Sequence, residues 1–306
     1  MAGLAGCAQL VPQTMALRSA WPADAPSQVE LTELPFFPQV EYQCGPAALA
    51  TVLGAAGLSL RPEDLVEQVY LPARQGSLQL EMLVAPRRHD LVSYQLAPQY
   101  GAVLRELAAG NPVLVLQDNG LFPLTQWHYA VVAGYDYEKG DLWLRSGETR
   151  RLTLSFTQFE FSWKRSGYWA MVALPPQRIP ASATETSYLP AVLALDRVGS
   201  SAAAKLAYQT FLQRWPGNEL ASIGLANRHY ADAALADAEA VLRAALAAQP
   251  ASPALLNNLA QVLSDQGLHS EALALIDRAA ANAGALRASV QKTRELIAGR
   301  ANQGQR

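Results

Sequence analysis

Two cysteines in 306 residues are too few for a disulfide framework, and Cys7 and Cys44 lack the spacing of zinc ligands. Charge is sparse as well. Only 16% of residues are charged and the net charge is -2, so no basic excess marks a nucleic-acid surface. No run of about 18 apolar residues occurs, which excludes a membrane-spanning helix. Phosphate-cradling glycine loops are missing, and the four histidines are not spaced with carboxylates or cysteines as metal ligands are. No cofactor, metal or nucleic-acid partner is therefore expected.

What is present is enough apolar sequence for two domains: half of the residues are hydrophobic. After the N-terminal segment, the polar, proline-containing stretch up to residue 31 has no periodicity and reads as a tether. Leu34 to Pro38 reads as a short extended segment. From Cys44 the apolar residues Ala47, Ala48, Leu49, Val52 and Leu53 fall at helical spacing until Gly54 or Gly57. Helices are also predicted from Pro62 to Tyr70, from Gly76 toward His89, and from Val103 to Ala109. Strands are predicted at Ser93 to Leu96, Val113 to Leu116, Trp127 to Asp136, Leu142 to Arg145, Arg151 to Leu154 and Trp169 to Leu174. Helices first and an antiparallel sheet afterwards indicate an α+β domain over residues 32–176.

Residues 177–184, after Pro175-Pro176, read as a linker. Beyond them the chain is rich in alanine and leucine. Ala204, Ala238 and Ala272 recur every 34 residues, as do Tyr208, Leu242 and Ile276, and Phe211, Ala245 and Ala279. Pro216 and Pro250 keep the same interval, and Gly199, Ala233 and Gly267 take equivalent turn positions. This pattern resembles tetratricopeptide repeats in an all-α domain over 185–300, with units 185–218, 219–252 and 253–286. A capping helix from 287 to about 299 and a disordered tail at 301–306 would follow. The resemblance implies a concave groove that binds a peptide or a protein partner.

The chemistry centres on Cys44, in Gln39-Val40-Glu41-Tyr42-Gln43-Cys44-Gly45-Pro46. A thiol at a helix start is where the positive end of the helix dipole lowers its pKa, although a lone cysteine is more often an inert small hydrophobe. Among the histidines, His89 sits in the charged run Arg87-Arg88-His89-Asp90, and His229 and His269 lie in the repeats. Only His128, between Trp127 and Tyr129, opens a strand that reads as buried.

Gln39 through Leu53, with His128 to Asp136, resembles the papain-like cysteine peptidases of the bacteriocin-processing, double-glycine leader peptidase type, over roughly residues 32–175. The resemblance implies a papain-like fold in which Cys44 attacks the peptide carbonyl, His128 acts as base and then acid, and Gln39 helps to form the oxyanion hole. A family carboxylate or amide that orients the histidine falls where this chain has Ser146, in Leu142-Trp143-Leu144-Arg145-Ser146-Gly147. Serine hydrogen-bonds a ring but brings no charge to stabilise an imidazolium.

At the N-terminus, Leu4-Ala5-Gly6-Cys7 resembles a bacterial lipobox, in which the cysteine is lipidated. Three residues precede Leu4, fewer than such a signal's charged segment and apolar core require, which an earlier start would supply. The resemblance implies a cell-envelope protein, periplasm-facing and held to the membrane at Cys7 alone. The expected function is a cysteine peptidase-like hydrolase acting on a peptide or protein. The alternatives are a papain-like adaptor that has lost hydrolysis and serves as a scaffold, and transamidation by the same Cys-His pair.

Overall fold

The segment from Gly45 to Leu53 is buried at every position, including its one hydroxyl, Thr51, which donates to Ala47 O. A helix apolar on all sides belongs in the interior, and the first half of the chain is built around it. The computed structural model describes residues 11–39, 43–121 and 123–303. The chain divides into two compact units, one ending at Gly199 and the other beginning at Ser200.

In the first unit the elements are α1 (Pro12–Ser19), β1 (Gln28–Glu30), α2 (Cys44–Ala55), α3 (Pro62–Val69), α4 (Gln79–Arg88), β2 (Val92–Gln95), α5 (Tyr100–Ala108), β3 (Val113–Asp118), β4 (Trp127–Asp136), β5 (Asp141–Ser146), β6 (Thr149–Ser155), α6 (Phe156–Trp163), β7 (Ala170–Leu174) and α7 (Glu185–Val198). The sheet runs β2-β7-β3-β4-β5-β6, and β1 joins the far end of β4. Every pairing is antiparallel. The predicted helices-then-sheet order is therefore found, with α2 packed against the sheet. The prediction lacked α6.

The sheet is covered on both faces, which is why β3 and β7 are buried throughout. Leu114, Leu116, Tyr129, Val131 and Met171 pack with Leu49, Leu53, Leu65 and Met82 of α2, α3 and α4. Alternation sends Gln117 to the opposite face, where it donates to Ser162 Oγ of α6 at 2.6 Å. There Tyr100 packs its ring against Phe156, Phe159 and Trp163.

Two expectations are corrected. The supposed tether is ordered over its described residues: α1 docks on α6 and β1 joins the sheet. Buried Glu160 accepts from the Gln13 and Thr14 amides at 2.9 and 2.6 Å, so a carboxylate satisfies the free donors of the α1 N-terminus. That partner lies far along the chain, beyond the reach of local pattern. The second correction concerns α7, expected to open the repeats at residue 185. It belongs to the first unit, where Tyr188 meets the Tyr94 ring and Ser187 Oγ lies 2.9 Å from the Tyr94 hydroxyl.

The second unit is entirely helical: α8 (Ser201–Arg214), α9 (Glu219–Ala231), α10 (Leu235–Ala248), α11 (Pro253–Asp265), α12 (His269–Ala281) and α13 (Arg287–Gln303). Helices start at residues 219, 253 and 287, and at 201, 235 and 269, so the interval of 34 appears in the structure as well. The small residues at that interval, Ala204, Ala238 and Ala272, are fully buried. Asn218 and Ser252 cap α9 and α11 through their side chains. His269, expected in a turn, is the first residue of α12, and α13 carries helix to Gln303, into the expected tail. No helix among the described residues is long and apolar enough to cross a membrane.

Candidate active site

Cys44 is the first residue of α2, with Gln43 as its N-cap. Pro46 has no amide hydrogen, so the free donors at this helix end are the amides of Cys44 and Gly45. These two amides, and the Tyr129 amide of β4, favour the charged form of the Cys44 sulfur. Cys44 and His128 line one cleft of about 890 Å³, together with Gln39, Trp127 and Tyr129.

Burial pushes the Cys44 thiol up, over the opposing pull of those three amides. The expectation that the helix end would lower it is thus overturned: desolvation of the thiolate outweighs the dipole. Burial also pushes His128 down. At neutral pH the resting pair is thiol and neutral imidazole, not a thiolate–imidazolium ion pair.

Behind the ring, His128 Nε2 lies 2.8 Å from Ser146 Oγ, and Ser146 is only 8% exposed. The position that was expected to orient the histidine does touch it. An irregularity between Leu144 and Ser146 breaks the pairing of β5 with β6 beside this contact, and such bulges re-aim side chains. Arg145, inside the irregularity, is held by the Arg150, Leu31 and Thr32 carbonyls.

Gln39 holds the open ends of β4 and β5 together. Its Nε2 donates to Tyr129 O at 3.2 Å, its Oε1 accepts from Gly147 N at 3.1 Å, and its own amide donates to Gly147 O. Gly147 has φ of 57°, the left-handed conformation this turn needs. A carboxamide carries two N–H bonds, so one remains for the cleft.

Several residues escaped the sequence argument. Asp118, 3% exposed, organises the loop between β3 and β4: its Oδ1 accepts from the Gly120 and Gln126 amides, and its Oδ2 meets Arg165 at 2.9 Å. The Asp118-Asn119-Gly120 turn was the available signal. The Tyr129 hydroxyl donates to Ser77 O, joining the sheet to the segment before α4. The other histidines lie elsewhere. His89 contacts Gln68, His229 lies near Asp237 and His269 contacts Ser264. Asp136 and Asp141 are at the turn end of the β4–β5 hairpin, where Asp136 pairs with Lys139. Cys7 lies outside the described residues. Among the described residues, no group of three or more His, Cys, Asp or Glu side chains could hold a metal ion.

Cys44 at a helix N-terminus and His128 on an antiparallel sheet thus line the same cleft. Residues 31–171, just under half of the chain, match the Peptidase_C39 like family. Similar solved structures include a C39-like peptidase from Bacillus anthracis, with 15% identity and a TM-score of 0.41, covering 49% of this chain and 98% of that one. A double glycine motif protease from an AMS/PCAT transporter, in complex with its leader peptide, has 18% identity and a TM-score of 0.38, covering 47% and 93%. The peptidase domain of Streptococcus ComA, a bi-functional ABC transporter of a quorum sensing pathway, has 20% identity and a TM-score of 0.39, covering 47% and 99%. No curated protein matches the chain.

Proposed function

We propose that the first unit is a cysteine peptidase-like hydrolase that cleaves a peptide bond through Cys44 and His128. The observation that carries this reading is the shared cleft, which Cys44 and His128 line together while Ser146 Oγ lies 2.8 Å from His128 Nε2. With Nε2–H donated to Ser146, Nδ1 is the basic nitrogen. Because the resting pair is neutral, the thiol proton passes to Nδ1 as sulfur attacks the carbonyl. The Cys44 amide and the remaining Gln39 N–H stabilise the oxyanion. The imidazolium then protonates the leaving amine, and water attacks the thioester. The test is peptide-library digestion read by mass spectrometry. Products are expected with the wild type and none with Cys44→Ala; products from both would sink the reading.

A second reading keeps the fold as a scaffold, and Ser146 favours it, because a neutral partner leaves an imidazolium unsupported. On either reading the 34-residue helical units are tetratricopeptide-like and hold a substrate or partner protein. A partner pull-down that survives Cys44→Ala but fails when residues 200–306 are deleted supports the scaffold. Retention after the deletion removes it. The lipobox at Leu4–Cys7 would anchor the protein, and Cys7→Ser would then move it from the membrane fraction to the soluble one.

A further inference from the structure

The lining of the Cys44 cleft has an asymmetry of charge. Two arginines, Arg74 and Arg165, contribute to it, with the neutral polar side chains Gln75, Gln79 and Gln126, and no described aspartate or glutamate does. Arg165 is already neutralised by Asp118 at 2.9 Å and donates to Gly120 O. Arg74 is exposed and forms no ion pair among the described residues. Glu81, Asp118 and Glu148 neighbour the cleft in sequence, but none lines it. Among the described residues the cleft therefore carries one cation without an ion-pair partner.

The chain holds Arg74 there by a tight turn. A short 3-10 helix, Pro72–Arg74, is closed by Leu71 N–H donating to Gly76 O at 2.8 Å. Gln75 is left-handed, with φ of 48°. Ser77 then fastens the segment on both sides: its carbonyl accepts from the Tyr129 hydroxyl, and its side chain lies against Gly45 of α2. A backbone tied to both walls beside Cys44 fixes Arg74 in the lining of the cleft. A cation in a walled cleft raises the local concentration of anions, an effect that salt removes.

We infer that the cleft selects a peptide bearing a carboxylate beside the bond at Cys44, and that Arg74 is the residue that reads it. This rests on the cleft being the peptidase site. The field is measured by modifying Cys44 in the full chain carrying Cys7→Ser. The reagents are an anionic sulfonatoethyl and a neutral methyl methanethiosulfonate, with the rate ratio normalised to free N-acetylcysteine amide. At low salt the normalised anionic-to-neutral ratio is expected to be about 5 to 10, falling toward one in 0.5 M salt. Arg74→Gln should bring it to about one and Arg74→Glu below one. A wild-type ratio of one, or a ratio unmoved by Arg74→Glu, overturns the inference. Because the resting thiol is protonated, slow reaction with the neutral reagent is expected and leaves the ratio interpretable, and failure of the catalytic reading is read separately, as peptide products that persist in Cys44→Ala. In a second arm, Cys44 is protected by acetyl-Ala-Ala-Glu-Ala-Ala-amide, by its glutamine counterpart, and by that counterpart with a free C-terminal carboxylate. Best protection by the first assigns the carboxylate to a side chain, and best protection by the third to a chain end. No difference among the three overturns the carboxylate preference.

Discussion

In the first unit the decisive contacts join residues far apart in the chain, whereas in the second they join neighbours. Glu160 caps a helix that begins at Pro12, and Gln39 bridges Tyr129 and Gly147. In the second unit Arg243 meets Glu239 and Glu271, and Arg300 meets Asp265. Each of those links spans about one repeat or less. A fold of long-range contacts can bring a thiol, an imidazole and a hydroxyl to one point. A stack of near-identical helical units extends a surface but converges nothing. The proposed chemistry accordingly belongs to the first unit.

The strongest way to break that contrast is Cys44→Ala. Peptide turnover should fall by at least about 10³, while partner binding by the second unit stays intact, as measured by digestion and pull-down. Loss of binding would place recognition in the first unit too.

Core truncation comes next. Leu53→Ala and Ile276→Ala each remove a fully buried side chain and should each cost about 2–5 kcal/mol in denaturant melts. Hydrogen exchange separates them: Leu53→Ala should loosen both α2 and the sheet strands, and Ile276→Ala only α11 to α13. Loosening of α9 as strong as that of α12 would sink the one-dimensional picture of the second unit.

Charge behind the histidine has a smaller effect. Ser146→Asp sets a carboxylate on Nε2, which should raise the His128 pKa and increase turnover by about tenfold, read from the pH–rate profile. Folding stability supplies the sign check. His128 is pushed below its ordinary value of 6.5, so as pH falls through 6.5 the unfolded chain takes up the proton first. Stability from this group is complete above that pH and declines below it, and His128→Gln should flatten the decline. A steeper acid limb in His128→Gln would contradict the buried neutral imidazole.

The smallest effect lies in a repeat turn. Ala233 has φ of 58°, and its repeat equivalent Gly267 has φ of 83°. Ala233→Gly removes left-handed strain at some cost in unfolded-chain entropy, so it should stabilise by about 0.5–1 kcal/mol in thermal melts. A destabilised variant would show that the turn is not strained.

Most of the fold was legible because its signals are local. Trp127 to Asp136 is a mostly apolar run that ends where β4 ends, and the alanine interval marks α8, α10 and α12. What escaped has a distant cause. Residues 12–30 look like a tether until Glu160 satisfies the α1 amides and β1 pairs with β4. The residues around His128 were only half legible: Ser146 could be placed by resemblance, but Arg74 reaches the cleft, and Asp118 orders the loop before His128, through turns whose geometry no periodicity reports.

The sequence alone determined which residues could do chemistry. One described thiol, one histidine on a strand and a serine where a charge was expected follow from residue identity. Tertiary structure decided their state. Burial holds the thiol protonated and the imidazole neutral, because a charge loses its hydration in the cleft whatever the helix end offers it. It also left Arg74 in the cleft lining without an ion-pair partner among the described residues, because whether a surface arginine is paired depends on what the fold sets beside it.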